Sequence, residues 1–183
     1  PIMQTCIGPS EEHVNMAGLP TEASIYGMID NAMPGRLTRI YAHRCGGGKY
    51  MVILQFHKQD HTDEGRQRQA ALLAFSAFPE LKHVIVVDED VDIFDTDDVL
   101  WAMNTRFQAD RDIIMIPGVR CHPLDPSSSP QFSKSIRDIG ISCKAIFDCT
   151  VPYDLRERFV RAPFLEVDLD KWFPEYGHED GEK

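Results

Sequence analysis

Residues 83–92 read HVIVVDEDVD, in which a run of branched apolar side chains passes directly into a stretch with four acids. A continuous apolar run of this length is typical of a short strand buried on both faces of a sheet. The acids mark the carboxyl end of that strand, and the next segment, Asp95–Phe107, places Val99 and Met103 on one face of a helix. A buried strand followed by an amphipathic helix predicts an α/β protein.

The segments on either side extend this pattern. Helices are predicted at 21–34 and 62–78, adjacent strands at 37–42 and 50–56, and further short strands at 112–116 and 144–150. The predicted fold class is α/β, an α/β sandwich in which helices cover a mixed sheet. We expect an irregular lead-in segment at 1–19, the α/β domain at 20–150, and an extended, acidic and aromatic C-terminal tail at 151–183 that wraps a partner surface.

The charge of the 183-residue chain is distributed unevenly. Its formal net charge is −10, and all of the excess lies after residue 87, with seven acids and no base in Asp88–Asp98. Such a surface repels nucleic acid and anionic membranes, and no apolar run approaches the roughly 20 residues of a membrane span. We therefore expect neither nucleic-acid binding nor membrane insertion.

The cysteines and the first residue bear on the cellular context. The five cysteines are odd in number and contain no C-x-x-C pair, which argues against a disulfide framework and a zinc ribbon. Since no leader segment is recognisable, we expect a cytoplasmic protein. The chain begins with Pro1, which indicates either that Met was removed or that the chain is a piece of a longer protein.

Two short motifs resemble ligand-binding loops. The acids from Asp88 resemble the start of a calcium loop, but Ile93 and Val99 stand where that loop needs Gly and Glu. Capping of the next helix explains the acids better, although ligands do bind at the carboxyl ends of α/β strands. The GGGK run at 46–49 lacks the spacing of a phosphate loop, which leaves a flexible strand connection or a backbone anion nest.

Two further motifs suggest catalysis. Cys121 and His122 are neighbours on an extended segment, so their side chains point apart, which argues against a nucleophile–base pair. An N-terminal proline is the general base of tautomerases, but no clear strand follows Pro1. The residues alone therefore do not indicate an enzyme.

Several motifs together resemble one family. They are HVIVVDEDVDIFD at 83–95, DVLWAM at 98–103, TRFQADRD at 105–112, LDP at 124–126, KAIFDCT at 144–150, EH at 12–13 and GLPTEA at 18–23. This set resembles the carboxyl-terminal domain of the UbiD-like, prenylated-FMN-dependent decarboxylases, and the tail is closest to the hydroxybenzoate and gallate type. The likeness extends over nearly the whole chain to about Pro152.

The resemblance implies a non-oxidative, reversible decarboxylation of aromatic acids that uses prenylated FMN, a divalent metal such as Mn and potassium. In that family these groups and the catalytic residues belong to an amino-terminal domain, which this chain does not match. The chain would then be the lid and oligomerisation domain, inactive alone, and partnered by a flavin-binding domain or subunit in a homodimer or hexamer. The alternative is a non-enzymatic scaffold or regulatory subunit of a decarboxylase complex.

The resemblance also suggests where substrate is contacted. Residues 120–124 correspond to a loop that closes over the cofactor in relatives, so His122 and Leu124 are the candidate substrate-binding residues. The His122 imidazole would hydrogen-bond a phenol hydroxyl, unless it is a solvent-exposed loop histidine. Lys144 and Asp148 are expected at the domain interface, whereas a structural role is expected for Asp88, Asp90, Asp92 and Arg106. No catalytic residue and no metal ligand is assigned to this chain.

Overall fold

The computed structural model describes residues 11–122, 125, 127, 141–162 and 168–172. Its helices are α1 (Glu11–Ala32), α2 (Arg66–Ala77), α3 (Thr96–Arg106), α4 (Ala109–Asp112) and α5 (Leu169–Trp172). Its strands are β1 (Leu37–Ala42), β2 (Met51–Phe56), β3 (His83–Val87), β4 (Ile113–Arg120) and β5 (Ile141–Cys149). Short 3-10 turns lie at Arg44–Gly46, His61–Asp63 and Tyr153–Arg158.

The strands form one mixed sheet in the order β1-β2-β3-β5-β4. β1 and β2 are antiparallel neighbours, β2, β3 and β5 run parallel, and β4 returns antiparallel along β5. The three parallel strands lie in the middle, where both faces are covered, and this explains their nearly continuous apolar sequences. The predicted mixed sheet covered by helices is confirmed.

Two apolar clusters lie on opposite faces of the sheet. Val52, Val84 and Ile146 are register partners on β2, β3 and β5, and all three are buried with residues of α1 and α2. Ile53 and Ile85, one position further along, are buried in a second cluster with residues of α3. Since each large aliphatic side chain contributes about 1.5–3 kcal/mol on burial, these clusters hold the layers together.

The first helix begins at Glu11, so the predicted start at Thr21 is wrong. Pro20 lies inside the helix, where proline normally removes a hydrogen bond and clashes with the preceding turn. The neighbouring Thr21 is 1% exposed, and its hydroxyl donates to the carbonyl of Ala17 at 2.8 Å, so this turn gains a side-chain bond. The domain bounds at 20 and 150 stay predictions.

The strand β4 runs to Arg120, four residues beyond the predicted end at Ile116. Pro117 is tolerated because β4 is an edge strand, on which a missing N–H need not break a ladder. Gly118 has a φ of +71°, and the register shifts between Ile116 and Val119, as a bulge requires. The bulge carries the strand onward toward residues 121 and 122.

The beginning of the predicted tail packs on its own domain. Val151 is 3% exposed, and the Tyr153 hydroxyl donates to the carbonyl of Gln59 at 2.9 Å. Arg161 bonds Asp98 at 2.7 Å. Wrapping of a partner by the tail stays a prediction, and most of its later residues lie outside the described part of the chain.

A close approach between α1 and the loop before β2 generates the first prediction. Gly48 has a φ of +68°, and a Cβ there would lie 2.9 Å from the Val14 carbonyl oxygen and 3.0 Å from Gly18. Gly47 has a similar φ of +65°, but a Cβ there would meet open space. Gly48→Ala should therefore lower the free energy of unfolding by about 3 kcal/mol, from strain plus overpacking.

The matched control, Gly47→Ala, should cost about 1 kcal/mol, because it bears the backbone strain alone. Urea unfolding followed by circular dichroism measures both variants. Equal losses would contradict the close packing of Gly48 on α1.

Candidate functional site

His122 lies two residues beyond β4, at the edge of the sheet where β2 and β3 begin. Its Nε2 is 3.4 Å from Oε2 of Glu80, and its ring meets the Tyr50 ring edge-on with centroids 5.7 Å apart. The His122 side chain is 14% exposed, so it is not a solvent-exposed loop histidine. Its contact with substrate stays a prediction.

The chain that follows His122 is held by Lys82. The Lys82 ammonium lies 2.8 Å from Oδ2 of Asp125, and the backbone N–H of Asp125 donates to the carbonyl of His122 at 3.0 Å. Burial raises the pKa of Asp125, but hydrogen bonds from Lys82 and Ser127 outweigh it, so the pKa of this carboxyl is lowered. Leu124, the other candidate contact residue, lies outside the described residues.

A buried lysine anchors the turn that carries Glu80 and Lys82. The Lys144 ammonium donates to the carbonyl of Pro79 at 2.6 Å and also to that of Leu81, and it lies 5.1 Å from the centre of the Phe75 ring. Lys144 is 5% exposed, and burial lowers the pKa of its amine. Its side chain therefore supports this edge from inside the domain rather than lining a domain interface.

Asp148 is also internal, which differs from the place at the domain interface that the resemblance implies. It is 3% exposed and accepts from Nε of Arg68 at 2.6 Å and from the amide of Gln67 at 3.1 Å. The hydroxyl of Thr150 donates to its second oxygen at 2.6 Å. This carboxylate ties α2 to the end of β5, and its function is structural.

The opposite, carboxyl edge of the sheet carries the acidic stretch. Arg106 donates to Asp88 at 2.8 Å and to both oxygens of Asp90 at 2.8 and 2.6 Å, while Arg161 bonds Asp90 and Asp98. A cavity of about 420 Å³ lies beside these groups. Since Arg106 pairs with Asp88 and Asp90, the structure agrees with the structural role expected for these three residues.

The pKa values of the two acids that share Arg106 are shifted in opposite directions. Burial raises the pKa of Asp88, and it outweighs the Val151 N–H and the charge of Arg106, both of which favour the carboxylate. For Asp90, the hydrogen bonds from Arg106 outweigh partial burial and lower the pKa. Further along the stretch, Asp95 caps α3 by accepting from the N–H of Asp97 at 3.0 Å, as predicted.

The glycine run does not form an anion nest. The N–H groups of Gly46 and Gly48 donate to the carbonyl of His43, that of Gly47 to Arg44, and that of Lys49 to Gly46. Because these amides are occupied within the loop, they offer no cradle for a phosphate. The alternative interpretation, a strand connection, is the one that the structure supports.

Metal clusters and membrane-spanning helices are both absent from the described residues. Within them, no group of three or more His, Cys, Asp and Glu residues is placed to hold a metal ion. None of the described helices combines the length and the apolar character that crossing a bilayer requires. A cytoplasmic location stays a prediction.

Comparisons with known proteins agree on one family. The family model described as the 3-octaprenyl-4-hydroxybenzoate carboxy-lyase C-terminal domain matches residues 14–149. The chain is 60% identical over 173 residues to a gallate decarboxylase of Lactiplantibacillus plantarum, a match that covers 93% of this chain and 35% of the relative.

Solved structures show the same partial coverage. The apo structure of the 3,4-dihydroxybenzoic acid decarboxylase from Enterobacter cloacae is 61% identical with a TM-score of 0.83, over 92% of this chain and 34% of that chain. The UbiD-class enzyme HmfF from Pelotomaculum thermopropionicum, in complex with FMN, is 32% identical with a TM-score of 0.75, over 87% and 33%. The chain thus spans about a third of the length of the relatives that it matches.

The ion pairs at the carboxyl edge generate the second prediction. The Arg106 side chain is 2% exposed and that of Asp88 18%, so Arg106→Met leaves the largely enclosed Asp88 carboxylate without its charge partner. The free energy of unfolding at pH 7 should fall by about 3 kcal/mol. The control Arg111→Met removes a cation that is 73% exposed and should change it by less than about 0.5 kcal/mol.

The loss should also depend on pH. Without Arg106 the folded-state pKa of Asp88, already raised by burial, rises further above its unfolded value. The folded state then binds the carboxyl proton of Asp88 more tightly than the unfolded state does. The loss in the free energy of unfolding is therefore present at pH 7 and shrinks as the pH falls. Denaturant unfolding at pH 7 and pH 5 should show a smaller loss at pH 5, and a loss independent of pH would contradict the assignment.

Proposed function

The chain belongs to the UbiD carboxy-lyase family, as its carboxyl-terminal domain, and from this membership we propose that the complete protein decarboxylates hydroxylated benzoic acids. The observation that carries the proposal is the 60% identity to a gallate decarboxylase over 93% of this chain. The 61% identity to a 3,4-dihydroxybenzoic acid decarboxylase supports the same substrate class, since both relatives are named for aromatic acids that bear hydroxyl groups.

Within this reaction, the chain supplies binding contacts rather than reacting groups. His122 contacts a ring hydroxyl of the substrate through its imidazole, which can both donate and accept hydrogen bonds. Its position between Glu80 and Tyr50 supports this role, because an imidazole held on two sides presents a fixed edge. Leu124 is proposed on the resemblance alone as an apolar contact to the same ring.

The cofactor is held by the rest of the complete protein. One structural relative is a complex with FMN and another a complex with prenylated FMN, and we propose that prenylated FMN, Mn and potassium serve here too. In the part of the chain that the structure describes, no group of three or more His, Cys, Asp and Glu residues is placed to hold a metal ion, and the amides of the glycine loop are bonded within the loop. No chemical step is therefore assigned to this chain.

The partners of the chain follow from its size. Because it matches about a third of its relatives, an amino-terminal flavin-binding domain or subunit completes the active site. Assembly as a homodimer or hexamer, and the role of this domain as a lid, stay predictions from the family.

The complete protein that carries this chain tests the proposal. Loaded with prenylated FMN, it should release CO₂ from gallate or 3,4-dihydroxybenzoate. The substitution His122→Ala should lower kcat/KM by about tenfold or more, because the site loses its contact with a ring hydroxyl of the substrate. The control is His57→Ala, which removes a histidine at the opposite edge, bonded to Glu89 at 2.5 Å, and should leave kcat/KM within about twofold.

Two outcomes would contradict the proposal. Absence of CO₂ release from any hydroxybenzoate in the loaded protein would favour the scaffold alternative. Equal losses for His122→Ala and His57→Ala would place the substrate elsewhere.

A further inference from the structure

The turn between α2 and β3 contacts the segment around His122 at two points. Glu80 reaches the imidazole of His122, with Nε2 and Oε2 3.4 Å apart. Lys82, two residues later, reaches Asp125 at 2.8 Å. The turn therefore meets the candidate substrate residue itself and the chain just beyond it.

This turn is anchored to the sheet by Lys144. The Lys144 ammonium, on β5, donates to the carbonyls of Pro79 and Leu81, the residues on either side of Glu80. Burying an amine is costly unless its hydrogen bonds are satisfied, and these two carbonyls satisfy it. Glu80 thus projects from backbone whose position is fixed by a bond to the sheet.

The carboxylate of Glu80 also has a second cationic neighbour. Nζ of Lys49 lies 3.5 Å from the same Oε2 that faces His122, and Tyr50, the next residue, packs its ring edge-on against the imidazole. Lys49 and Tyr50 lead directly into β2, so the imidazole is bounded by the beginnings of two neighbouring strands. The contacts of the imidazole with Glu80 and with Tyr50 limit the rotamers that are open to His122.

We propose that Glu80 is a positioning residue for the decarboxylation, which acts through His122 by fixing where its imidazole meets the ring hydroxyl of the aromatic acid. This inference rests on the proposed function, because it presumes that His122 contacts substrate. Small displacements of a contact group are expensive in such sites, since a misplacement of about 1 Å can cost on the order of a hundredfold in rate. A side chain that holds the imidazole therefore influences specificity without touching the substrate.

The test uses the complete, prenylated-FMN-loaded protein and a double-mutant cycle with 3,4-dihydroxybenzoate. Glu80→Ala should lower kcat/KM by about tenfold when His122 is present and by less than about twofold in the His122→Ala background, because its effect passes through that ring. Glu80→Gln keeps an acceptor oxygen at the same place and should retain most of the activity. A purely structural role would lower kcat/KM by the same factor in both backgrounds.

The matched control is Glu89→Ala, which removes a carboxylate that also bonds a histidine, His57, but at the opposite edge of the sheet. It should leave kcat/KM within about twofold. Calorimetric titration of the cofactor-free protein with 3,4-dihydroxybenzoate adds a readout independent of turnover. There, Glu80→Ala should weaken binding when His122 is present and not in the His122→Ala background.

The outcomes separate the two proposals. If His122→Ala lowers the activity but Glu80→Ala does not, or if Glu80→Ala acts equally in both backgrounds, the role of Glu80 is wrong and the proposed function stands. If His122→Ala itself leaves kcat/KM and binding intact, the substrate contact and the role of Glu80 both fall. Coupling between Glu80 and His122 in rate and in binding supports the inference.

Discussion

Burial of the parallel strands β2, β3 and β5 on both faces constrains where polar chemistry can lie in this domain. Their side chains alternate between a cluster beneath α1 and α2 and a cluster beneath α3, so few positions along the strands can face water. Polar backbone and side-chain groups are costly in such an interior unless they are bonded. Charged groups therefore collect at the two ends of the strands. The arrangement of these charges differs between the two ends.

At the carboxyl edge, charges neutralise each other. Arg106 and Arg161 share Asp90, and each also bonds a second acid, so the stretch with the highest density of acids in the sequence is tied into the fold. At the amino edge, the charges instead form a chain from the interior outward. Lys144 holds the turn, the turn presents Glu80, and Glu80 meets His122.

The sequence predicts the parts of this fold that local pattern controls. The predicted positions of the strand β3 and the helix α3 are confirmed, because apolar periodicity and a capping Asp95 are local signals. The predicted start of α1 is wrong because Pro20 is typical of a helix end, whereas the packing of α1 against the Gly48 loop joins residues far apart in the sequence. The predicted end of β4 before Pro117 is wrong because the sequence does not show which strand lies at an edge. Family resemblance alone points to His122, and no periodicity joins it to Glu80, since the two lie 42 positions apart in the chain.

A comparison of two histidine–carboxylate pairs shows what the anchored turn adds. His57 and Glu89 form the shorter pair, at 2.5 Å, but their side chains are 34% and 49% exposed, and such exposed pairs contribute little. His122 and Glu80 are 3.4 Å apart, yet the imidazole is 14% exposed and the carboxylate stands on backbone fixed by a buried lysine. Distance alone would rank the first pair higher. His122 nevertheless has the better defined position. The position of an imidazole depends on what holds the carboxylate and on how much room remains around the ring.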